Sequence, residues 1–211
     1  MSEQSFSEWL KERSEPEWTA VVTHPFATAI TTGQAGMRHY LEQDFQFVDS
    51  FTALLGAAVA SADSFEARVP YGRFLGQTAT TEKKTYFHRA LAELGGRTDA
   101  PPEPVTAAFK GLMDEVRTAQ DYLLIATVLC VAEWCYLGWA SRAVEPLPER
   151  FVHREWIELH DGEEFRAWVG FLRGELDRLG PGLDEERRQE VLGVFRRAVE
   201  LERAFFDMAA G

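Results

Sequence analysis

Strand-like alternation, cysteine, histidine and positive charge are all scarce in this sequence. No segment of four to eight residues alternates apolar and polar side chains, which excludes a half-buried sheet. The only two cysteines, Cys130 and Cys135, stand five apart in one apolar stretch. A helix turns such a pair roughly 140° apart, so no disulfide joins them. Burial would also raise their thiol pKa values, which makes both packing residues and not nucleophiles. Acidic residues (34) outnumber basic ones (22), giving a formal net charge of −12. A surface of that sign repels phosphate backbones and anionic headgroups, so no nucleic-acid and no membrane partner is expected. The start, MSEQSFSEWLKERSEPEW, has neither the basic lead nor the apolar core of a signal peptide, and a cytoplasmic protein is expected.

What is present points to a helical core. A length of 211 residues suits a single domain at the usual ~150 residues per domain. With 45% hydrophobic residues, six Trp and fifteen Phe, there is ample side chain for one interior. Apolar positions recur at three and four throughout. Gly and Pro break them at Thr31-Thr32-Gly33, from Gly95-Gly96 to Pro101-Pro102, at Pro146 and Pro148, and at Gly180-Pro181-Gly182. The predicted helices are Pro16–Thr31, Gln34–Ser61, Phe65–Thr78, Thr80–Leu94, Val105–Gln120, Tyr122–Arg142, Glu163–Leu179 and Leu183–Ala209, with short pieces at the N-terminus and around 151–158. One of them, Tyr122–Ala140, carries a single charge, Glu133. It is long enough to span a bilayer, but among amphipathic neighbours it reads as the central helix of an all-α bundle.

Three carboxylates fall on apolar faces. Tyr40, Asp44, Phe47 and Phe51 share one side of their helix, Glu202 shares a stripe with Leu192, Phe195, Val199, Phe205 and Phe206, and Glu133 has no polar side available. An isolated buried carboxylate costs several kcal/mol unless it is paired, hydrogen-bonded or protonated. Three on separate helices therefore suggest a shared polar pocket. A single one reads more simply as a structural partner of an Arg or a backbone group. A di-iron bundle would need Glu-x-x-His pairs. No His lies three residues after Glu133 or Glu202, none follows residue 160, and Glu82 and His88 are six apart. No metal and no cofactor are expected, and activity should survive exhaustive chelation. Loss on chelation with recovery on iron would restore the di-iron reading. His24, in the segment His24–Phe26, reads as structural, with a pocket edge as the alternative.

Several strings resemble one family. YLEQDFQF (Tyr40–Phe47) is similar to the YLxQDxxF/Y signature of the TenA/thiaminase II family, and ELERAFFDMA (Glu200–Ala209) to its C-terminal ExxFWD. TTEKKTYF (Thr80–Phe87) and WIELHDGEEF (Trp156–Phe165) resemble its acidic helix and its WIxxYxxxEF segment. The four occur in the family's order, and the similarity covers nearly the whole chain, from Trp18 to Asp207. The resemblance implies a haem-oxygenase-like helical bundle without haem. It also implies a homotetramer or homodimer, with which exposed aromatic surface around Trp156 and Trp168 would agree.

The differences bear on chemistry. Aligning the family's Tyr with Tyr136 puts Ala132 where the common branch has its nucleophilic Cys. AEWCYLGWA (Ala132–Ala140) instead resembles the ExxYxxxW pattern of the glutamate-type subgroup (TenA_E), with Glu133 as that residue. Two of the family's pocket tyrosines match Phe109 and His160. The resemblance implies hydrolysis of the exocyclic C–N bond of thiamin-derived pyrimidines in thiamin salvage, on amino or formylamino substrates. The expected site is catalytic Glu133 and Glu202, in interchangeable acid and base roles, with Asp44, Phe47, Phe109, Tyr136 and His160 binding the pyrimidine. A non-catalytic ligand-binding or regulatory homologue is the alternative.

Overall fold

The computed structural model describes residues 4–211, the side chains of residues 81–84 excepted. Eleven α-helices and no strand occur among the described residues: α1 Phe6–Glu12, α2 Glu17–Val22, α3 Pro25–Thr31, α4 Met37–Ser61, α5 Phe65–Gln77, α6 His88–Leu94, α7 Pro104–Ala119, α8 Tyr122–Ala140, α9 Phe151–Asp161, α10 Glu163–Leu179 and α11 Glu185–Ala210. Local sequence explains most of the ends. Ser64, Asp121 and Asp184 accept hydrogen bonds from the backbone N–H groups of Ala67, Leu124 and Arg187, supplying partners that a helix N-terminus lacks. Gly95, at φ +64°, ends α6 in the left-handed conformation that glycine adopts freely.

Three boundaries differ from the sequence expectation. Pro16–Thr31 is two helices, because Pro25 has no N–H to continue a helix and instead opens α3. The Nδ1 atom of His24 caps that helix by accepting from Phe26 N–H at 3.1 Å, and its Nε2 meets Asp207 at 3.1 Å. His24 is therefore a cap and not a pocket residue. Residues 65–94 form one helical run, where a break near residue 79 was expected. Its middle, Thr78–Phe87, widens into a π-helix, in a stretch where β-branched Thr residues at 78, 80 and 85 disfavour an α-helix. The short piece around 151–158 is the full helix α9.

At the centre stands α8, packed against α2, α4, α7, α9, α10 and α11. Its 18-residue apolar window is 89% buried, so the candidate span is the core of the bundle. Trp156 (1% exposed) and Trp168 (5%) are buried, so the exposed aromatic surface expected around them does not exist. Trp156 stacks on Tyr86 and Trp168 on Phe74. The exposed large apolar residues among those described are Phe65, Val69 and Val144.

The α10–α11 corner closes onto α1. Buried Gly180 begins the 3₁₀ turn Gly180–Gly182, and a Cβ there would stand 2.3–2.5 Å from Phe6 Cβ, Cγ and Cδ1. These atoms lie near the Phe6 backbone and cannot swing away. Gly180→Ala is expected to destabilise the fold by about 1–3 kcal/mol, the range for overpacking. Gly182→Ala, with nothing within 4 Å, serves as the near-neutral control. Equal denaturant midpoints for the two variants would contradict this packing.

Candidate active site

Two adjoining chambers meet at the middle of α8. The inner one, narrow at about 30 Å³, is lined by Asp44, Phe47, Val48 and Phe51 of α4, Ala132, Glu133 and Tyr136 of α8, and Trp156 and His160 of α9. The outer, about 170 Å³, lies among Phe74, Gln77, Thr78, Glu133, Leu159, His160, Glu164 and Phe165. Glu133 and His160 belong to both linings and form the waist between them. The helical register explains the convergence. Asp44 is one turn after Tyr40 and one turn before Phe47–Val48, on the face that α4 turns inward.

Five of the seven residues expected at the site thus share one chamber: Asp44, Phe47, Glu133, Tyr136 and His160. Phe109 does not line it. That residue is buried behind Phe47, ring edge to face at 5.0 Å. Glu202 lines neither chamber, yet it is 2% exposed and its Oε1 has no hydrogen-bond partner. Burial, and then the charge of Asp44, push its carboxyl well above the ordinary range. Both effects favour the protonated form of Glu202 over the carboxylate. Its neighbours on α11, Phe205 and Phe206, connect it to the site, with Phe205 against Tyr40 and Phe47 and Phe206 against Tyr40 and Tyr136. The Tyr40 and Tyr136 hydroxyls are hydrogen-bonded to each other at 2.7 Å.

Other buried carboxylates show what a structural role looks like. Glu42 accepts from Arg97 N–H at 3.0 Å, and Glu175 pairs with Arg178 at 2.7 Å and with the Tyr122 hydroxyl. Neither was singled out from the sequence: Arg97 and Tyr122 are distant in the chain, and the Glu175–Arg178 pair, three residues apart, looks like an ordinary surface pair. Glu202 Oε1 lacks such compensation, which sets it apart from them.

His160 is buried, with its ring 4.3 Å from Trp156, 4.9 Å from Tyr136 and 5.1 Å from Phe165. Its Nδ1 lies 2.7 Å from the Trp156 carbonyl oxygen. A carbonyl only accepts, so Nδ1 carries the hydrogen and Nε2 the lone pair. Burial lowers the imidazole pKa to about 4, so the ring is neutral at pH 7.

The thiols are absent from both linings. Cys130 and Cys135 are fully buried, and burial raises both thiols far above their ordinary range. No cluster of three or more His, Cys, Asp or Glu suited to a metal ion occurs among the described residues. The Glu82 side chain, weighed as a ligand from sequence, lies outside the described residues. Trp156, Val48, Phe51, Ala132 and the outer-chamber residues other than Glu133 and His160 were not foreseen as lining. The four-residue spacing of Trp156 and His160 on α9 was the available signal.

Comparison with known proteins agrees with this architecture. A model of the TENA/THI-4/PQQC family matches residues 11–211. An aminopyrimidine aminohydrolase from Halalkalibacterium halodurans is 25% identical, over 97% of this chain and 95% of its own. A protein of the same description from Helicobacter pylori is 21% identical, over 96% and 97%. Among solved structures, a TenA homologue from Pyrococcus furiosus superposes with a TM-score of 0.87 at 21% identity, covering 97% of this chain and 99% of that one.

Proposed function

The chain belongs to the TENA/THI-4/PQQC family, and on that premise we propose that it is a C–N hydrolase of thiamin-derived aminopyrimidines, acting in thiamin salvage through glutamate chemistry. The observation that carries the reading is the inner chamber's wall. Asp44 and Glu133 converge there from two helices, and the position where the family's common branch has its thiol holds only the methyl group of Ala132. The two homologues called aminopyrimidine aminohydrolase, each matched over almost its whole length, support the same substrate class.

In this reading the pyrimidine lies across the waist. The inner chamber alone is too narrow for the ring, so one polar edge reaches Asp44 while the scissile bond stands between the chambers. A carboxylate beside a ring nitrogen and an amino group makes a paired contact, and Phe47 and Tyr136 supply flat apolar surface. Phe109 supports the Phe47 ring from behind. Glu133 takes a proton from water, whose oxygen bonds to the exocyclic methylene carbon. The C–N bond breaks with its electron pair going to nitrogen, and a proton passes to that nitrogen from Glu202, which lies behind the inner chamber's lining, by way of a bridging water. The products are the hydroxymethylpyrimidine and the free amine. A buried acid with a raised pKa next to a second carboxylate in a different environment is the arrangement that separates acid from base at pH 7.

The test is incubation of the purified protein with the aminomethyl- and formylaminomethyl-pyrimidines while amine and formate release are followed. Release of amine with formation of the hydroxymethylpyrimidine supports the reading, whereas formate release alone places the cut at the formyl C–N bond and contradicts this step. Tight binding of both without turnover favours a ligand-binding homologue.

A further inference from the structure

The waist between the chambers is formed by two groups of different kinds, the Glu133 carboxyl group and a neutral imidazole. The Nδ1 hydrogen of His160 is committed to the Trp156 carbonyl, which leaves Nε2 as a lone-pair acceptor. Among the described residues no donor is hydrogen-bonded to Nε2, while His160 is 6% exposed and borders both cavities. The aromatic rings of Trp156, Tyr136 and Phe165 fix the ring's orientation, so the acceptor cannot turn into a donor by flipping. Most side chains that hydrogen-bond at such a point, a phenol included, both give and take a proton. This one only takes.

We propose that His160 is a specificity-determining residue that accepts a hydrogen bond from an N–H on the exocyclic nitrogen of the substrate. The inference rests on the proposed function and names its substrate class more narrowly. The exocyclic nitrogen must carry at least one hydrogen, as in an amine or an N-acylamine. A second substituent on that nitrogen extends into the outer chamber, whose 170 Å³ exceeds the volume of a formyl group. A quaternary heteroaromatic nitrogen has no hydrogen to give, and leaves Nε2 buried and unpaired. A site built to hydrogen-bond a substrate N–H discriminates strongly against an analogue without it, because its own polar group is then stranded.

The experiment compares the aminomethylpyrimidine with the same pyrimidine carrying a thiazolium as leaving group, the latter measured as a competitive inhibitor where it is not turned over. His160→Phe keeps an aromatic ring in the packed slot and removes the acceptor. It is expected to raise KM for the aminomethyl substrate about tenfold or more, with the thiazolium compound's KM or Ki unchanged within about threefold. His160→Gln, whose amide oxygen accepts, is expected to recover part of the loss for the amine alone. An equal change for both compounds in His160→Phe, with folding intact by circular dichroism, overturns the inference and leaves the hydrolase standing. Wild-type protein that cleaves neither compound, releasing neither amine from the one nor thiazole from the other, overturns both.

Discussion

Glu202→Gln is expected to fold normally and to lose at least about a hundredfold in turnover, the usual scale for removing a general acid or base. The amide is close in shape to the protonated carboxyl but cannot deliver a proton. The same substitution is expected to make the protein no less stable at neutral pH, and the sign follows from linkage. Unfolded, Glu202 loses its proton near the ordinary 4.5; folded, burial and the Asp44 charge hold the proton well above that. Over that interval the native state binds more protons than the unfolded one, so this residue costs stability increasingly as pH rises through it. Gln removes the cost. Denaturant titrations at acidic and neutral pH should show the wild type losing stability relative to the variant as pH rises. Near-wild-type turnover in the folded variant would remove Glu202 from the mechanism.

The paired substitution Cys130→Ser with Cys135→Ser is expected to retain hydrolysis within about a few-fold, while Glu133→Gln abolishes it. On α8 the two cysteines are rotated roughly 160° and 60° from Ala132, and neither lines a chamber. Their thiols are held protonated by burial, and a thiol is a poor nucleophile in that state. Glu133 is about 100° from Ala132, but its longer side chain reaches the chamber wall. Turnover should therefore follow the carboxylate. A folded double-serine protein without activity, beside an active Glu133→Gln, would point to a displaced thiolate instead.

The legible part of the site was the part written as a local conflict. A charge on an apolar helical face, at Asp44, Glu133 and Glu202, has to be accounted for by burial chemistry, and the periodicity of α4, α8 and α11 gives the face directly. That all three helices bring these groups toward one region followed from the cost of burying them singly. The outer chamber carries no such mark. Phe74 and Gln77 come from the last turns of α5 and Thr78 from the residue after it, Leu159 and His160 from α9, and Glu164 and Phe165 from α10, and of these only His160 had been marked as a pocket residue. The π-helical stretch was not foreseen either: the run of Thr reads as a break between two helices, and the stretch packs against α4, which is remote in sequence. Trp156 was misread as surface since its segment is strongly amphipathic and its inward face is set by Tyr86, Tyr136 and Tyr40, which are remote in sequence.

Hydrolytic cleavage of the exocyclic C–N bond is tested by turnover of the aminomethylpyrimidine in water enriched in the heavy oxygen isotope. The heavy oxygen is expected in the hydroxymethyl group of the product, with one amine released for each alcohol formed. A pyrimidine that binds and is recovered unchanged, with no label and no amine, would contradict it.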